Sequence, residues 1–211
     1  MRAARTAMLA LSLTLAGAAI AQDAEPVSGH PQPQIISTSW NLDFSFDTPK
    51  AIAVTDPAGV TRWYWFMTYK VANNTGQERL FVPEVDIADD NGRIVAANRS
   101  IPPAVYAEVE RVINNQLLQS PTESVGRLLQ GDDFARETYA VWEASFEDAD
   151  LLTVFIGGLS GETASIAHPD PEIDERIQLR RTRMLRFSLP GYFENPQYQP
   201  VELIDERDVM R

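Results

Sequence analysis

Residues 62–95 read RWYWFMTYKVANNTGQERLFVPEVDIADDNGRIV, and their spacing sets the fold class. In Trp63, Trp65, Met67, Tyr69 and Val71 a large apolar side chain falls on every second position, so an extended backbone places all five on one face. The opposite face carries Tyr64, Phe66, Thr68, Lys70 and Ala72. It is aromatic at one end and polar at the other, as expected of a strand covered at one end and wet at the other. After the turn residues Asn73, Asn74, Thr75 and Gly76, a second run directs Phe81, Val85 and Ile87 one way and Glu84 and Asp86 the other. Asp90-Asn91-Gly92 supplies the positive backbone angles of a tight hairpin, which predicts that residues 93–95 fold back on this run. The whole stretch is expected to be a β-meander.

Similar alternation recurs on both sides. Trp40, Leu42, Phe44 and Phe46 alternate with polar residues, residues 49–54 predict a short second strand, and Asp56-Pro57-Ala58-Gly59 is a turn. Thr138, Ala140, Trp142, Ala144 and Phe146 share a face, and residues 151–156 form an unbroken apolar run expected of a central strand. Residues 180–189 read as a last strand, with Leu185, Phe187 and Leu189 inside and Arg186 and Ser188 outside. Between residues 102 and 131 the period changes. Val105, Val109, Val112, Ile113 and Leu117 recur at helical spacing behind Pro102 and Pro103, and Val125, Leu128 and Leu129 suggest a second, shorter helix ending at Gly131. A helical insertion in a β domain covers an open end or an edge; a groove beside it is the functional alternative.

Before this domain, residues 1–21 carry Arg2 and Arg5, an apolar stretch, and the small-x-small ending Ala19-Ile20-Ala21 of a secretory signal. The apolar stretch is shorter than the ~20 residues of a spanning helix. The expected organisation is a signal at 1–21, a proline-rich tether at 22–34, a domain at 35–190 with its insertion at about 102–131, and a polar tail at 191–211. The chain is therefore expected to be exported, periplasmic or extracellular, with no transmembrane span once the signal is removed. With no cysteine, it forms no disulfide and no thiolate metal site. The formal charge is -12, and it becomes more negative when Arg2 and Arg5 leave with the signal. Such a chain is repelled by phosphate backbones, so no nucleic-acid partner is expected.

Short strands separated by turns in one exported chain predict a mainly β protein, an antiparallel β-sandwich with a helical insertion. The run from Trp65 into Val71-Ala72-Asn73-Asn74-Thr75-Gly76, followed by Leu80-Phe81-Val82-Pro83, resembles the early strands and turn of bacterial immunoglobulin-like domains. More loosely, the chain resembles an exported bacterial protein of a family with no assigned activity. The resemblance implies an immunoglobulin-like architecture and a frequent use in adhesion or assembly, and it assigns no functional residue.

Catalytic patterns are weak. Ser160 lies among glycines, but Glu162 stands where a nucleophile elbow needs glycine; the histidines are His30 in the tether and His168 in a loop. Glu84, Asp86, Glu143 and Glu147 fall on outward strand positions, where a solvated face places carboxylates anyway. Asp89 and Asp90 could offer oxygen ligands to calcium, yet the hairpin accounts for Asn91-Gly92. No catalytic residue, metal ligand or cofactor is assigned. Tyr64 and Phe66 are the candidate ligand-binding residues, as an aromatic platform for a polysaccharide; core packing competes with that role. The expected function is a non-catalytic binding or protein-interaction module of the bacterial cell envelope with a protein partner. A carbohydrate-binding module and a hydrolase with an unrecognised site are the alternatives.

Overall fold

The computed structural model describes residues 30–35, 39–143, 146, 148–170, 172–191 and 195–211; the expected signal lies outside them. The protein is mainly β, and its sheets are antiparallel. Strand β3 (Thr61–Asn73), which holds the alternating run from Trp63 to Val71, is the spine of the first sheet. One of its edges pairs with β8 (Gly131–Glu143). Along the other lie two strands end to end: β1 (Asp43–Phe46) opposite residues 69–72, and β2 (Lys50–Thr55) opposite residues 61–66. The register shifts by one between them, at a break containing Pro49.

The second sheet repeats this plan around β11 (Arg176–Ser188). Strand β12 (Glu202–Met210) borders it on one side. On the other side, β9 (Leu151–Gly157) and β10 (Thr163–Ala167) lie end to end. Strands β5 (Glu84–Asp89) and β6 (Ile94–Ala96) then extend the sheet beyond β9. A third sheet consists of β4 (Arg79–Phe81) and β7 (Gly126–Leu128).

Inner faces of the two large sheets meet in one apolar cluster. Trp65, Met67, Tyr69 and Val71 from β3 pack with Val85, Ile87, Leu152, Val154, Ile156, Leu185 and Phe187 from the second sheet. The alternation that predicted one core face on β3 is therefore realised, with Trp63 packed partly buried against the same cluster. The expected meander is not. The second run leaves β3 altogether: β4 pairs with β7, and Pro83 separates it from β5, which joins the other sheet. Phe81, Val85 and Ile87 thus reach the core from across the interior. Of the meander only the β5–β6 hairpin forms, with Gly92 at φ 86° and the Asp89 N–H donating to the Arg93 carbonyl.

Helix α1 (Pro103–Ile113) starts at the expected prolines and ends at Asn114, which adopts a left-handed conformation and closes the last turn through its N–H to the Glu110 carbonyl. The expected second helix is a strand instead. Ser120 and Glu123 do form a reciprocal capping pair, Ser120 N–H to Glu123 Oε2 at 2.9 Å and Glu123 N–H to Ser120 Oγ at 3.3 Å. A single capped turn has too few residues to propagate. Leu128 then enters the core from β7 while Val125 and Leu129 face out.

The polar tail contains β12, and the described end of the tether is seated: His30 Nε2 bonds the Met210 carbonyl at 2.6 Å, and Gln34 N–H donates to Glu162 Oε1 at 2.8 Å. Among the described residues no helix is long and apolar enough to cross a membrane.

Candidate functional site

Tyr64 and Phe66 are 2 % and 3 % exposed, so the expected stacking platform is closed. They lie on the outer face of β3 in a second apolar cluster with Ile52, Tyr139, Val141 and the helical residues Val105 and Val109. The physical reason is simple. A sheet that is apolar on both faces needs a cover on each, and α1 supplies the outer one. The insertion therefore shields a sheet face, and its residues Leu118 and Gln119 also lie along the β8 edge at Glu137. Tyr139 ties the two layers together by donating to Glu110 Oε1 of the helix at 2.7 Å; burial first, and then the Glu110 carboxylate, pushes its phenol well above the usual tyrosine range.

Ser160 and His168 are engaged separately. Ser160 Oγ donates to the Trp40 carbonyl at 3.2 Å and accepts from Glu162 N–H at 3.1 Å, while His168 Nδ1 accepts from Asp170 N–H at 3.1 Å. The glycines around Ser160 serve close approach. Where β9 leaves the second sheet, residues 159–161 bridge to residues 40–42 of the first, and a Cβ on Gly161 would overlap the Trp40 indole. Asp89 turns its carboxylate to its own hairpin, Oδ1 accepting from Arg93 N–H at 2.8 Å. Glu84 and Asp86 face Arg180 and Arg211 at 3.9 and 2.7 Å; Glu143 is exposed, and Glu147 lies outside the described residues. No cluster of three or more side chains suited to a metal occurs among the described residues. Asn73 is fully buried, with its amide donating to the carbonyls of Gln77 and Leu128.

Two cavities flank strand β1. The inner one, about 370 Å³, opens between Leu42 and Phe44 on one side and Arg181, Arg183 and Asp208 on the other. Arg181 and Arg183 keep the phase of Leu185 and Phe187, so they point between the sheets, where the apolar core gives way to charge. Asp208 bridges them, accepting from Arg181 Nε at 2.8 Å and from Arg183 Nε at 2.7 Å. Glu162 takes Arg181 Nη1 at 2.9 Å, and Glu206 pairs with Arg183. Burial opposes the Arg181 charge, but the hydrogen bonds that it donates to Asp208 and Glu162 outweigh it and hold its pKa above the ordinary arginine value. This pair was legible: the inside–outside alternation read for residues 185–189, extended four residues back, predicts two inward arginines.

The outer cavity, also about 370 Å³, begins where α1 ends. Ile113 and Leu118 form its apolar wall, and Ser45, Asp47, Lys70 and Glu137 its polar part. Lys70 and Glu137 lie 3.6 Å apart, and Asn115 Nδ2 also donates to Glu137. This is the groove beside the helical insertion, on the wet end of β3's outer face.

A different kind of surface lies on the small sheet. Its inner face gives Phe81 and Leu128 to the core. Its outer face carries Leu80 opposite Arg127, and continuing the register sets Val82 against Val125 and Glu78 against Leu129. All four aliphatic side chains are exposed, and Arg127 is paired to Glu78 at 3.0 Å. Comparison with family models, curated proteins and solved structures gives no match to this chain.

Proposed function

We propose that the chain is an exported, non-catalytic protein-interaction module of the bacterial cell envelope, built as an immunoglobulin-like β-sandwich with a helical insertion. The observation that carries this reading is the aliphatic outer face of the β4–β7 sheet. A two-stranded sheet with one face in the core ordinarily turns polar groups to water on the other, and a grouped apolar surface on a soluble domain marks a contact with another macromolecule. The two large sheets joined through one core support the sandwich, and the positive start, apolar stretch and small-residue ending of residues 1–21 support export. Ser160 and His168 bond to other groups, which removes the motive for a triad built on them. With Tyr64 and Phe66 under the helix, a polysaccharide partner has lost the residues that suggested it.

Cross-linked capture of envelope proteins by residues 22–211, repeated with Leu80→Asp and Leu129→Asp, tests the proposal. Discrete protein partners whose capture falls in both variants, with unchanged thermal unfolding, are the expected result. Capture that is indifferent to both variants would remove the β4–β7 face, and retention only of polysaccharide would overturn the module.

A further inference from the structure

The tip of the β5–β6 hairpin sets a side-chain amide next to a backbone nitrogen that nothing shields. Asn91 and Gly92 form the single Asn-Gly pair of the chain; every other asparagine is followed by a residue that carries a side chain. Turn formation accounts for the pair, yet the same two residues have a chemistry of their own. The backbone nitrogen after an asparagine can attack the side-chain carbonyl carbon, and a side chain on the following residue obstructs that approach. Gly92 has no such obstruction. Its φ of 86° suits glycine, and a Cβ built there would meet nothing within 4 Å beyond its chain neighbours.

Both residues are exposed, and the firmer bonds of the hairpin lie beneath them. Asp89 N–H donates to the Arg93 carbonyl at 3.0 Å and Arg93 N–H to Asp89 Oδ1 at 2.8 Å, whereas Gly92 N–H reaches the Asp89 carbonyl at 3.3 Å. The Asn91 amide is held as loosely, Nδ2 donating to the Asp148 carbonyl at 3.3 Å. Strand β6 is a 3-residue strand at the end of its sheet, so opening the tip disturbs few other bonds. Other asparagines are tied more tightly. Asn73 is fully buried, Asn74 Nδ2 donates to Asp43 and Asp132 at 2.8 and 2.9 Å, and Asn98 Oδ1 accepts from Val141 N–H at 3.1 Å.

We infer that Asn91 is a site of spontaneous modification, converted in the folded protein to aspartate and isoaspartate through a succinimide. The Gly92 nitrogen gives its proton to solvent base and bonds to Asn91 Cγ; the Cγ–Nδ2 bond breaks, and the amide leaves as ammonia. Water then opens the five-membered imide at either carbonyl. Opening at Cγ leaves aspartate, and opening at the main-chain carbonyl leaves isoaspartate, with one more carbon in the backbone. Ammonia leaves and water enters, with no change of oxidation state. Either product costs the hairpin a tie to residues 148–150. A carboxylate cannot donate to the Asp148 carbonyl, and it adds negative charge next to Asp90, whose Oδ2 accepts from Asp150 N–H at 3.4 Å.

The test incubates folded residues 22–211 in heavy-oxygen water at mildly alkaline pH, then digests them in ordinary water with trypsin, which releases residues 80–93 as one peptide. Heavy oxygen at Asn91, with isoaspartate exceeding aspartate and the other asparagines unchanged, is the expected result. A folded chain that keeps its Asn91 amide, whether or not urea releases the reaction, overturns the inference, and so does aspartate without isoaspartate. Asn91→Gln would have to close a larger ring, and is expected to abolish the conversion with unfolding unchanged. Label that persists in the same peptide of this variant would place the reaction elsewhere and overturn the assignment. Asn91→Asp reproduces one product and is expected to speed exchange of the Asp89 amide several-fold; an unchanged rate would refute the lost tie.

Discussion

The two large sheets share one plan and finish it differently. Each has a 13-residue central strand, β3 or β11, with two strands end to end along one edge and one long strand along the other. On β3 the outer face is aromatic at Tyr64 and Phe66, and α1 covers it. On β11 the inner face itself changes character, from Phe187 and Leu185 to Arg183 and Arg181. Apolar side chains need a second layer, whereas inward charges need partners and room. The first sheet therefore gained a helix and the second gained a cleft.

Removing the rings under the helix should produce the largest effect. Phe66→Ala is expected to cost about 3 kcal/mol in urea unfolding, the scale of a buried aromatic truncation. A loss below about 1 kcal/mol, with binding to a ligand impaired, would restore Tyr64 and Phe66 as a surface platform. Next, Arg181→Ala leaves Glu162 and Asp208 facing each other in a site where Arg181 is only 18 % exposed. Leaving shielded carboxylates without their cation is expected to cost about 2 kcal/mol. A neutral result would mean that the cleft is wet enough to screen them. Third, Asn98→Ala removes the side-chain bond that closes the β8 edge at Val141 and should cost about 1 kcal/mol. Lys70→Ala, at a half-exposed pair in the outer groove, should change stability by less than about 0.5 kcal/mol.

Alkaline titration sharpens the same contrast. Burial raises the phenols of Tyr69 and Tyr139 above their ordinary value near 10, so the folded state holds their protons where the unfolded chain releases them. Their contribution is complete below pH 10 and is lost as pH rises through the higher folded values. Stability should therefore fall above pH 10, with part of the tyrosine absorbance change appearing only on unfolding. Full ionisation near pH 10 in the folded protein would contradict the burial of both rings.

Local period carried the sequence reading where one face of a strand was apolar and failed where partners were distant. The phase of Trp63 through Val71, the start of α1 at Pro102 and Pro103, and the Asn91-Gly92 hairpin are local properties, and all three are present in the fold. Which strand pairs with which is not local: nothing in Arg79-Leu80-Phe81 says that its neighbour is Gly126-Arg127-Leu128. Spacing at Val125, Leu128 and Leu129 fits one helical face or one strand with a single inward residue, and the tertiary contact of Leu128 decided it. Strand β12 was missed because charge dominates ELIDERDVM; its inward Glu206 and Asp208 make sense only beside Arg181 and Arg183. Tyr64 and Phe66 were correctly seen as a second aromatic face, but the residues that cover them lie about forty positions away in the chain.

Native-state amide exchange along β1 tests most directly the claim that, among the described residues, the first sheet has an unpaired edge along β1 while Asn98 and Gln119 bond the opposite, β8 edge. Slow exchange at Ser45 and Asp47 alternating with fast exchange at Phe44 and Phe46, while Val141 at the capped edge of β8 stays protected, is the predicted pattern. Uniform protection along β1 would show that the edge is already occupied, and would contradict the account.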